Sequence, residues 1–340
     1  MNYTITLNPA IDRLLFLEEK MERRKTNRIT DVAYDIGGKG THGSYAMSKL
    51  RVENIALGFM GSLNADKFQH VLDMKRITNG FTPVKGQATR ECYIVIDHNP
   101  SGTTMLTERG LEVSENDIQS FFDNLRERLR PGDKVLIAGS LPVGFSMENL
   151  KQLIMLLKEL DCFVACDLSG EALKIAVELE VHFIKPNEFE IEDINEDGKE
   201  MVPFLKDLNE KIPYIVASMG NKGSYCFYNQ KVYRVVSPTV KEVNDTGAGD
   251  CFVGSFLAGL TKNYSITETL RLASACAASK VMHYDSSTFD LKEVEELKDQ
   301  VKIHILEEEL MMLYQKEREQ LADIVKKMFD RYETNTAGGN

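Results

Sequence analysis

Residues 244–250 hold the side chains of this sequence whose types and spacing point most directly to chemistry. They read Asn-Asp-Thr-Gly-Ala-Gly-Asp and run straight into an apolar stretch that begins at Cys251. The pattern predicts a glycine turn that opens a helix, with a carboxylate in the first helical turn. Such a turn directs free backbone N–H groups at one point, which suits a phosphate oxygen. The adjacent Asp250 can take a proton from an attacking hydroxyl, so the segment predicts phosphoryl transfer to an alcohol.

A second glycine-rich segment, Gly37-Gly38-Lys39-Gly40, permits close approach of the backbone and places one cation at a predicted helix start. It either binds an anionic group or forms a flexible turn with a solvated lysine. The spacing of a Walker A loop, GxxxxGK[ST], is absent from the sequence, and no GxGxxG follows the first predicted strand. The sequence therefore gives little support to a nicotinamide cofactor.

Two further segments offer carboxylates. Asn187 and Glu190 are three residues apart at a predicted helix start and therefore share one face. They either hold Mg²⁺ through water molecules, since Mg²⁺ keeps most of its hydration shell, or form a helix cap of the capping-box type. Asp12 follows the first predicted strand, where it either accepts hydrogen bonds from sugar hydroxyls or is a solvated residue of a turn.

The composition limits the classes of function. The chain has 340 residues, 43% of them hydrophobic, and a formal net charge of −11. This is ample for a buried core, and the acidity argues against a nucleic-acid partner. An anionic substrate is compatible with it, because local N–H groups and a few cations can dominate a pocket. The six cysteines lie in apolar runs without a CxxC pair, which predicts buried, reduced thiols.

The elements that must position these groups follow from the pattern of apolar residues. From residue 114 onward helices alternate with short apolar strands, which predicts a parallel sheet covered on both faces. These strands are predicted at 134–138, 162–167, 182–185 and 214–218. Ligands on such sheets bind beyond the carboxyl ends of the strands. Candidate motifs directly after predicted strands are 8–9, 139–140, 185–187 and 218–220.

The pattern also predicts how the chain is divided. Residues 1–303 form one α/β domain, and antiparallel strands within about 25–36 and 80–106 form a small sheet or lid. Leucines and other apolar residues at helical spacing predict an appended amphipathic helix over 304–332, and 333–340 are expected to be disordered. The amino-terminal residues lack the pattern of a signal peptide, and no apolar run reaches transmembrane length. We therefore expect a cytoplasmic protein without a membrane partner.

The opening, Thr4-Ile5-Thr6-Leu7-Asn8-Pro9-Ala10-Ile11-Asp12, resembles that of the ribokinase-like (PfkB) carbohydrate kinases. The similarity is closest to the branch of 1-phosphofructokinases and tagatose-6-phosphate kinases. Other motifs of that branch follow in the same order: Asn27-Arg28, Gly37-Gly38-Lys39-Gly40, Thr89-Arg90, Gly139-Ser140-Leu141-Pro142-Val143-Gly144, Lys185-Pro186-Asn187-Glu188-Phe189-Glu190, Ser218-Met219-Gly220-Asn221-Lys222-Gly223 and Gly247-Ala248-Gly249-Asp250. The resemblance covers about residues 1–300. It implies a Rossmann-like three-layer α/β/α sandwich with a small β-sheet lid, whose closure excludes water.

The resemblance also implies a role for each motif. Asp250 would be the base, and the backbone N–H groups of Gly247, Ala248 and Gly249 would form the anion hole. Asp12 would orient the sugar. The phosphate already on the sugar would be held by Lys39, Arg28 and Arg90 through charge-assisted hydrogen bonds. The other residues implied on the sugar side are Gly38, Gly40 and Ser140.

The remaining motifs would serve ATP and its metal. The residues implied on the ATP side are Lys185, Asn187, Ser218, Gly220, Gly223, Thr246, Gly247 and Gly249. Mg²⁺ would be held through water by Asn187 and Glu190. The chain departs from the branch where Thr41-His42-Gly43-Ser44 replaces Ile-Asn-Val-Ala, and also at Gly61-Ser62 and Thr107-Glu108-Arg109-Gly110. All three departures lie in the sugar-facing half, so they bear on substrate identity. His42 either contacts sugar or phosphate or is a helix-start histidine without a direct role.

The resemblance implies an ATP- and Mg²⁺-dependent kinase of a phosphorylated ketohexose. The leading reaction is fructose 1-phosphate to fructose 1,6-bisphosphate, with tagatose 6-phosphate as the alternative substrate. A different class is also compatible with the sequence, namely a non-catalytic sugar-phosphate sensor on the same fold. Asp250 argues against the sensor, because binding alone needs no base. A homodimer is a further expectation, with the lid strands as one candidate interface.

Overall fold

The computed structural model describes residues 1–97 and 103–306. The strands are β1 Asn2–Thr6, β2 Ala10–Leu17, β3 Ile29–Gly37, β4 Asn54–Gly61, β5 Thr78–Asn79, β6 Thr82–Val84, β7 Arg90–Ile96, β8 Thr104–Thr107, β9 Lys134–Ala138, β10 Phe163–Asp167, β11 Phe183–Ile184, β12 Tyr214–Ser218, β13 Ser224–Tyr228, β14 Lys231–Val236 and β15 Lys302–Ile305. The helices are α1 Lys39–Lys49, α2 Ala65–Met74, α3 Glu115–Arg128, α4 Met147–Glu159, α5 Gly170–Glu178, α6 Glu188–Ile194, α7 Met201–Leu208, α8 Ala248–Thr261, α9 Ile266–Lys280 and α10 Leu291–Lys298.

A large mixed sheet forms the centre of the molecule. Its strand order is β15-β14-β13-β12-β11-β10-β9-β1-β4-β5, and β6 also pairs with β4. The strands from β12 to β5 run parallel, whereas β13, β14 and β15 extend the sheet in antiparallel pairs. The carboxyl ends of β1, β9, β10, β11 and β12 therefore meet at one edge, where the sequence predicts ligands to bind.

Both faces of this sheet are covered by helices. Along β9, Val135 and Ile137 belong to one apolar core, whereas Leu136 and Ala138 belong to the other. The first core packs against α3, α4, α5, α6 and α7, and the second packs against α1, α2, α8, α9 and α10. The prediction of a three-layer α/β/α sandwich is therefore confirmed. All six cysteines lie in the described residues, are buried and form no disulfide.

A separate four-stranded sheet, in the order β3-β2-β7-β8, forms the lid. The set of strands in this sheet differs from the predicted lid. Strand β2 was not expected there, and residues 25–28 precede β3 instead of belonging to a strand. Strand β6, inside the predicted lid range 80–106, pairs with β4 of the main sheet. Short apolar runs do not reveal which sheet they join, because that choice depends on contacts with strands far away in sequence.

The carboxyl-terminal part differs from the prediction at its start. The amphipathic helix was expected from residue 304, but Lys302–Ile305 form β15, an edge strand paired with β14. The rest of that helix, 307–332, and the tail 333–340 lie outside the described residues, as does 98–102 of the predicted lid turn. None of the helices within the described ranges combines the length and the hydropathy that a membrane span requires.

Helices α1 and α8 bring the two glycine-rich segments together. They pack so closely that a Cβ on Gly254 of α8 would overlap the carbonyl oxygen of Gly43 in α1. Alanine is intrinsically favoured over glycine inside a helix by about 1 kcal/mol. Because overpacking against backbone costs about 1–3 kcal/mol, we expect the close approach to dominate the effect of any substitution here.

We predict that Gly254→Ala lowers the free energy of unfolding and the midpoint of thermal unfolding. A milder loss is expected for Gly43→Ala, because its Cβ would meet the end of the Leu136 side chain at 3.0 Å, and that side chain can move. Thermal unfolding followed by circular dichroism measures both variants. A Gly254→Ala variant as stable as the wild type would contradict the close packing of the two helices.

Candidate functional site

The turn at 247–250 has the conformation that the sequence predicts. Gly247 is left-handed, with φ of 79°, and α8 begins at Ala248. A Cβ on Gly247 would overlap the carbonyl oxygen of Ser286, so glycine is required here both for its backbone angle and for space. The turn therefore lies against the segment that follows α9, and Asp250 occupies the first turn of α8.

The available N–H groups of this turn differ from the predicted set. The N–H of Ala248 donates to the carbonyl of Asp245 at 3.1 Å, so it is already engaged. Within residues 1–97 and 103–306, the N–H groups of Gly247, Gly249 and Asp250 find no hydrogen-bond acceptor. The Ala248 N–H, predicted as an anion-hole donor, is therefore occupied in this structure, whereas the N–H of Asp250 is free within the described residues. Free N–H groups at a helix start remain suited to an anion.

Asp250 belongs to α8, is hydrogen-bonded to a residue of α1 and lies near several positive charges. Its Oδ2 lies 2.7 Å from Nδ1 of His42, a buried residue of α1. Burial by itself raises the pKa of Asp250. The hydrogen bond from His42 and the positive charges of His42, Lys39 and Lys185 outweigh burial and lower the pKa below its ordinary value. The carboxyl is therefore ionised, as a proton acceptor must be.

A cavity of about 270 Å³ opens at the carboxyl edge of the sheet, and it shares with the surroundings of Asp250 the side chain of Lys39. Among the residues predicted on the sugar side, Gly38, Lys39, Arg90 and Ser140 line it. The other lining residues are Thr6, Asn8, Gly139, Asp167, Leu168 and Ser169. Gly40, predicted as a binding residue, packs against the Thr6 side chain, where a Cβ would overlap the hydroxyl. The segment 37–40 therefore brings both backbone and a cation to the cavity.

Several polar atoms around this cavity are buried without a hydrogen-bond partner in the described residues. They are Oγ1 of Thr6, Oδ1 of Asn8, Nε of Arg90 and Oδ2 of Asp167. Oγ1 of Thr6 faces Gly40 and Oδ1 of Asn8 faces Gly110, so these two atoms are packed within the protein. The cations of Lys39 and Arg90 and the residue Ser140 line the cavity itself, and they fit a ligand that carries hydroxyl and phosphate oxygens.

Asp167 is the residue of this cavity that sequence reasoning missed. It ends β10 and is almost fully buried. Its Oδ1 lies 3.4 Å from Nζ of Lys39 and 3.6 Å from Nζ of Lys185, so it holds the two ammonium groups beside the cavity. The sequence could have indicated Asp167, because it is the last residue of the predicted strand 162–167 and ligand-binding groups cluster at the carboxyl ends of such strands.

Two predicted sugar-side residues lie elsewhere. Arg28 is exposed in the segment before β3 and lines a separate surface pocket with acidic residues of 18–22. Within this chain it is therefore not brought together with Lys39 and Arg90, because the lid segment carries it away from the sheet edge. Asp12 lies in strand β2 instead of a loop, is buried, and accepts a hydrogen bond from Ser286 at 2.6 Å. Burial raises its pKa to about 6, against the opposing charge of His42.

The residues predicted on the ATP side gather around the ends of β11 and β12. Asn187 bridges to Ser218, and the N–H of Ser218 donates to the carbonyl of Pro186 at 2.9 Å. Gly220 and Gly223 follow in the short turn before β13, both with positive φ. The Lys185 side chain lies close to the glycine turn. A Cβ added to Gly249 would lie 3.4 Å from Nζ of Lys185.

Thr246 and the predicted metal residues complete this side. The N–H of Thr246 donates to Oδ1 of Asn244 at 3.0 Å, which fixes the entry to the glycine turn. Asn187 and Glu190 form a capping box at α6, with reciprocal bonds of 2.9 and 2.8 Å. No group of three or more His, Cys, Asp or Glu side chains in the described part of the chain could hold a metal ion. The oxygen donors present fit a hydrated Mg²⁺ bound chiefly by phosphates.

Most of the chain is similar to known kinases. The model of the pfkB family carbohydrate kinases matches residues 5–293. A 1-phosphofructokinase of Bacillus subtilis is 30% identical over 308 residues, covering 89% of this chain and 99% of that protein. A tagatose-6-phosphate kinase of Staphylococcus epidermidis is 27% identical over 311 residues, with the same coverage of both chains.

A solved structure supports the fold at a larger evolutionary distance. Phosphofructokinase-2 of Escherichia coli, crystallised with substrates and products, superposes with a TM-score of 0.82 at 23% identity. The match covers 88% of this chain and 98% of that structure. The family match spans the lid, the cavity, the glycine turn and the main sheet apart from β15 and the start of β1. This chain is therefore a sugar kinase that belongs to the pfkB family of carbohydrate kinases.

Proposed function

We propose that this kinase phosphorylates a ketohexose that already carries a phosphate, with fructose 1-phosphate as the substrate and fructose 1,6-bisphosphate as the product. The observation that carries the proposal is the cavity that Lys39 and Arg90 line together, where the positive charge of Lys39 also acts on Asp250. A neutral sugar would not need two cations, since each is worth most against a charged phosphate. Tagatose 6-phosphate is the alternative substrate, because one of the relatives is named for it.

The proposed reaction follows from the arrangement of the turn and the base. Asp250 takes the proton of the acceptor hydroxyl while that oxygen forms its bond to the γ-phosphorus of ATP. The bond from the γ-phosphorus to the β–γ bridging oxygen breaks, and ADP leaves with the electron pair. The free N–H groups of Gly247 and Gly249, together with the Lys185 ammonium, stabilise the negative charge on the phosphoryl oxygens. We propose that Asp12, on the lid strand β2, orients the sugar.

Sugar kinases of this family use ATP with a divalent metal, and we propose Mg²⁺ for this chain. Asn187 and Glu190 would hold the ion through water molecules, while Ser218, Gly220, Gly223 and Thr246 line the nucleotide side. When bound, Mg²⁺ neutralises charge on the phosphates. Removal of the metal with EDTA is expected to stop turnover, and added Mg²⁺ is expected to restore it; turnover that persists in EDTA would contradict the proposal.

A turnover screen tests the substrate. ADP release is measured with fructose 1-phosphate, tagatose 6-phosphate, fructose 6-phosphate and free fructose at equal concentrations. We expect the highest kcat/KM with fructose 1-phosphate and a much lower value with free fructose, because the two cations gain a partner from the phosphate. Preference for free fructose would remove the sugar-phosphate proposal. Binding of sugar phosphate without any turnover would favour the sensor.

We also propose that two copies associate through their lids. The lid strands expose the large apolar side chains of Ile29, Met105 and Leu106, the last two on opposite faces because they are successive residues of β8. Contiguous exposed apolar surface marks sites of protein–protein interaction. Sedimentation velocity is expected to give a dimer for the wild type and a shift toward monomer for Leu106→Glu. A monomeric wild type at micromolar concentration would contradict this assembly.

A further inference from the structure

His42 makes two hydrogen bonds that together define its protonation. Its Nδ1 lies 2.7 Å from Oδ2 of Asp250, and its Nε2 lies 2.9 Å from the carbonyl oxygen of Ile36. A carbonyl oxygen has no proton to give, so Nε2 must carry a hydrogen. If Asp250 is ionised, it too can accept but not donate, and Nδ1 must then carry a second hydrogen. Because the pKa of Asp250 is lowered, this geometry gives an imidazolium facing a carboxylate.

The surroundings of the pair favour this charge state. Carboxylates approach the His42 ring from three elements: Asp250 on α8, Asp12 on β2 with its Oδ2 at 3.9 Å, and Asp35 on β3. Each carboxylate also faces a cation. Asp250 faces Lys39 on α1 and Lys185 after β11, and Asp12 faces Arg90 on β7. Asp35 faces Lys75, which follows α2, at 3.0 Å. The hydroxyl of Ser286 donates to Asp12.

Burial by itself lowers the pKa of His42. The hydrogen bond and charge of Asp250, with the charges of Asp12 and Asp35, outweigh burial and raise the pKa to about 9. The ring is therefore positive over the neutral range and becomes neutral as the pH rises through about 9. A neutral ring keeps a single N–H and loses one of its two hydrogen bonds.

We propose that His42 is a positioning residue for the base: its imidazolium occupies Oδ2 of Asp250 and so leaves Oδ1 as the oxygen that takes the substrate proton. This inference rests on the proposed function. In the transfer step, Asp250 gains the hydroxyl proton on Oδ1 and His42 keeps both of its own, so the pair changes from neutral to one positive charge. Asp250 returns its proton to solvent after the product leaves.

The pairing has a consequence for pH dependence. The folded-state pKa of His42 is raised above its ordinary value of 6.5, so the ion pair is fully formed below pH 6.5 and is lost as the pH rises through about 9. Both kcat/KM and the stability contributed by this pair should therefore decline on the alkaline side. Loss of the pair also leaves the Asp250 carboxylate free to rotate.

The first test is direct titration of the ring, with ¹⁵N-labelled histidine followed by NMR in the full chain. The His42 signal is identified by its loss in His42→Asn. We expect the ring to stay doubly protonated until about pH 9 in the wild type and to titrate closer to its ordinary pKa in Asp250→Asn. A wild-type ring that titrates near its ordinary value, or one that Asp250→Asn does not change, overturns the inference.

The second test is the pH profile of turnover. His42→Asn is expected to lower kcat by roughly 10- to 100-fold, the usual consequence of a misplaced catalytic group, and to remove the alkaline decline seen in the wild type, with the KM for ATP unchanged. His283→Asn is the matched control, because His283 also pairs with a carboxylate, that of Glu293 at 3.0 Å, and makes no hydrogen bond to Asp250. An unchanged profile in His42→Asn overturns the inference.

The two proposals fail in distinguishable ways. Normal turnover in Asp250→Asn, or no turnover of any sugar phosphate by the wild type, would overturn the proposed function. The NMR titration needs no substrate, so it still reports whether His42 and Asp250 form the ion pair. If His42→Asn does not fold, as judged by thermal unfolding, the His42 signal is identified as the one that persists when each of the other five histidines is replaced in turn, and the wild-type titration remains decisive.

Discussion

Replacing Asp250 with asparagine is expected to lower kcat by about 10²–10⁴-fold, the usual contribution of a general base, while ATP still binds. The amide keeps the size of the carboxylate, and its oxygen can still accept the hydrogen bond from His42. What it loses is the ability to take the proton of the acceptor hydroxyl. Steady-state kinetics and nucleotide binding by calorimetry measure the two effects separately.

The control for this variant lies in the same turn. Asp245 is exposed and contributes its carbonyl, not its carboxylate, to the hydrogen bond with Ala248. Asp245→Asn therefore removes one negative charge near the turn without touching the base, and near-normal kcat is expected. If Asp250→Asn also turned over at a near-normal rate, Asp250 would be removed from its role as the base.

The second large effect is expected when the cations of the cavity are removed. A hydrogen bond to a charged group contributes about 1.5–3 kcal/mol. Each of Lys39→Ala and Arg90→Ala should therefore lower kcat/KM for the sugar phosphate by roughly 10- to 150-fold. The much lower activity with free fructose should change little, because that sugar has no phosphate to lose. Comparing kcat/KM for both sugars in each variant measures the difference.

Arg28→Ala is the matched comparison for these variants. The resemblance groups Arg28 with the phosphate-binding cations, but in the structure it is exposed on a different surface pocket. We expect Arg28→Ala to retain most of the wild-type kcat/KM when a single chain forms the site. Little change in Lys39→Ala and Arg90→Ala would remove the phosphate-binding role of the cavity, and a neutral sugar would then be the better substrate.

Local features of the fold could be predicted because they depend on short stretches of chain. Ser114 and Ser146 each precede a helix, and each side chain accepts the N–H of the residue three positions later, which is the local pattern of a helix N-cap. The strands 134–138 and 214–218 have the predicted bounds. The lid was less predictable, because β2 continues directly from the first strand and its pairing with β3 and β7 is a long-range event.

The same distinction holds for the site. Gly247 could be predicted from its type, since the left-handed turn and the approach of Ser286 both exclude a side chain. The hydrogen bond from the Ala248 N–H to the Asp245 carbonyl could not be predicted, because it depends on the detailed path of the turn. His42 was recognised as a departure from the family pattern, but its partner was not, because nothing near residue 42 in sequence identifies it.

By itself the amino-acid sequence determined the α/β class, the glycine turn with its carboxylate and the cation at the start of α1, since backbone angles, hydrophobic periods and residue types are local properties. The tertiary structure decided which of these groups meet. His42 and Asp250 are 208 residues apart, and Lys39 and Asp167 are 128 apart. Strand order sets such distances, because parallel strands from distant parts of the chain end at the same edge of the sheet.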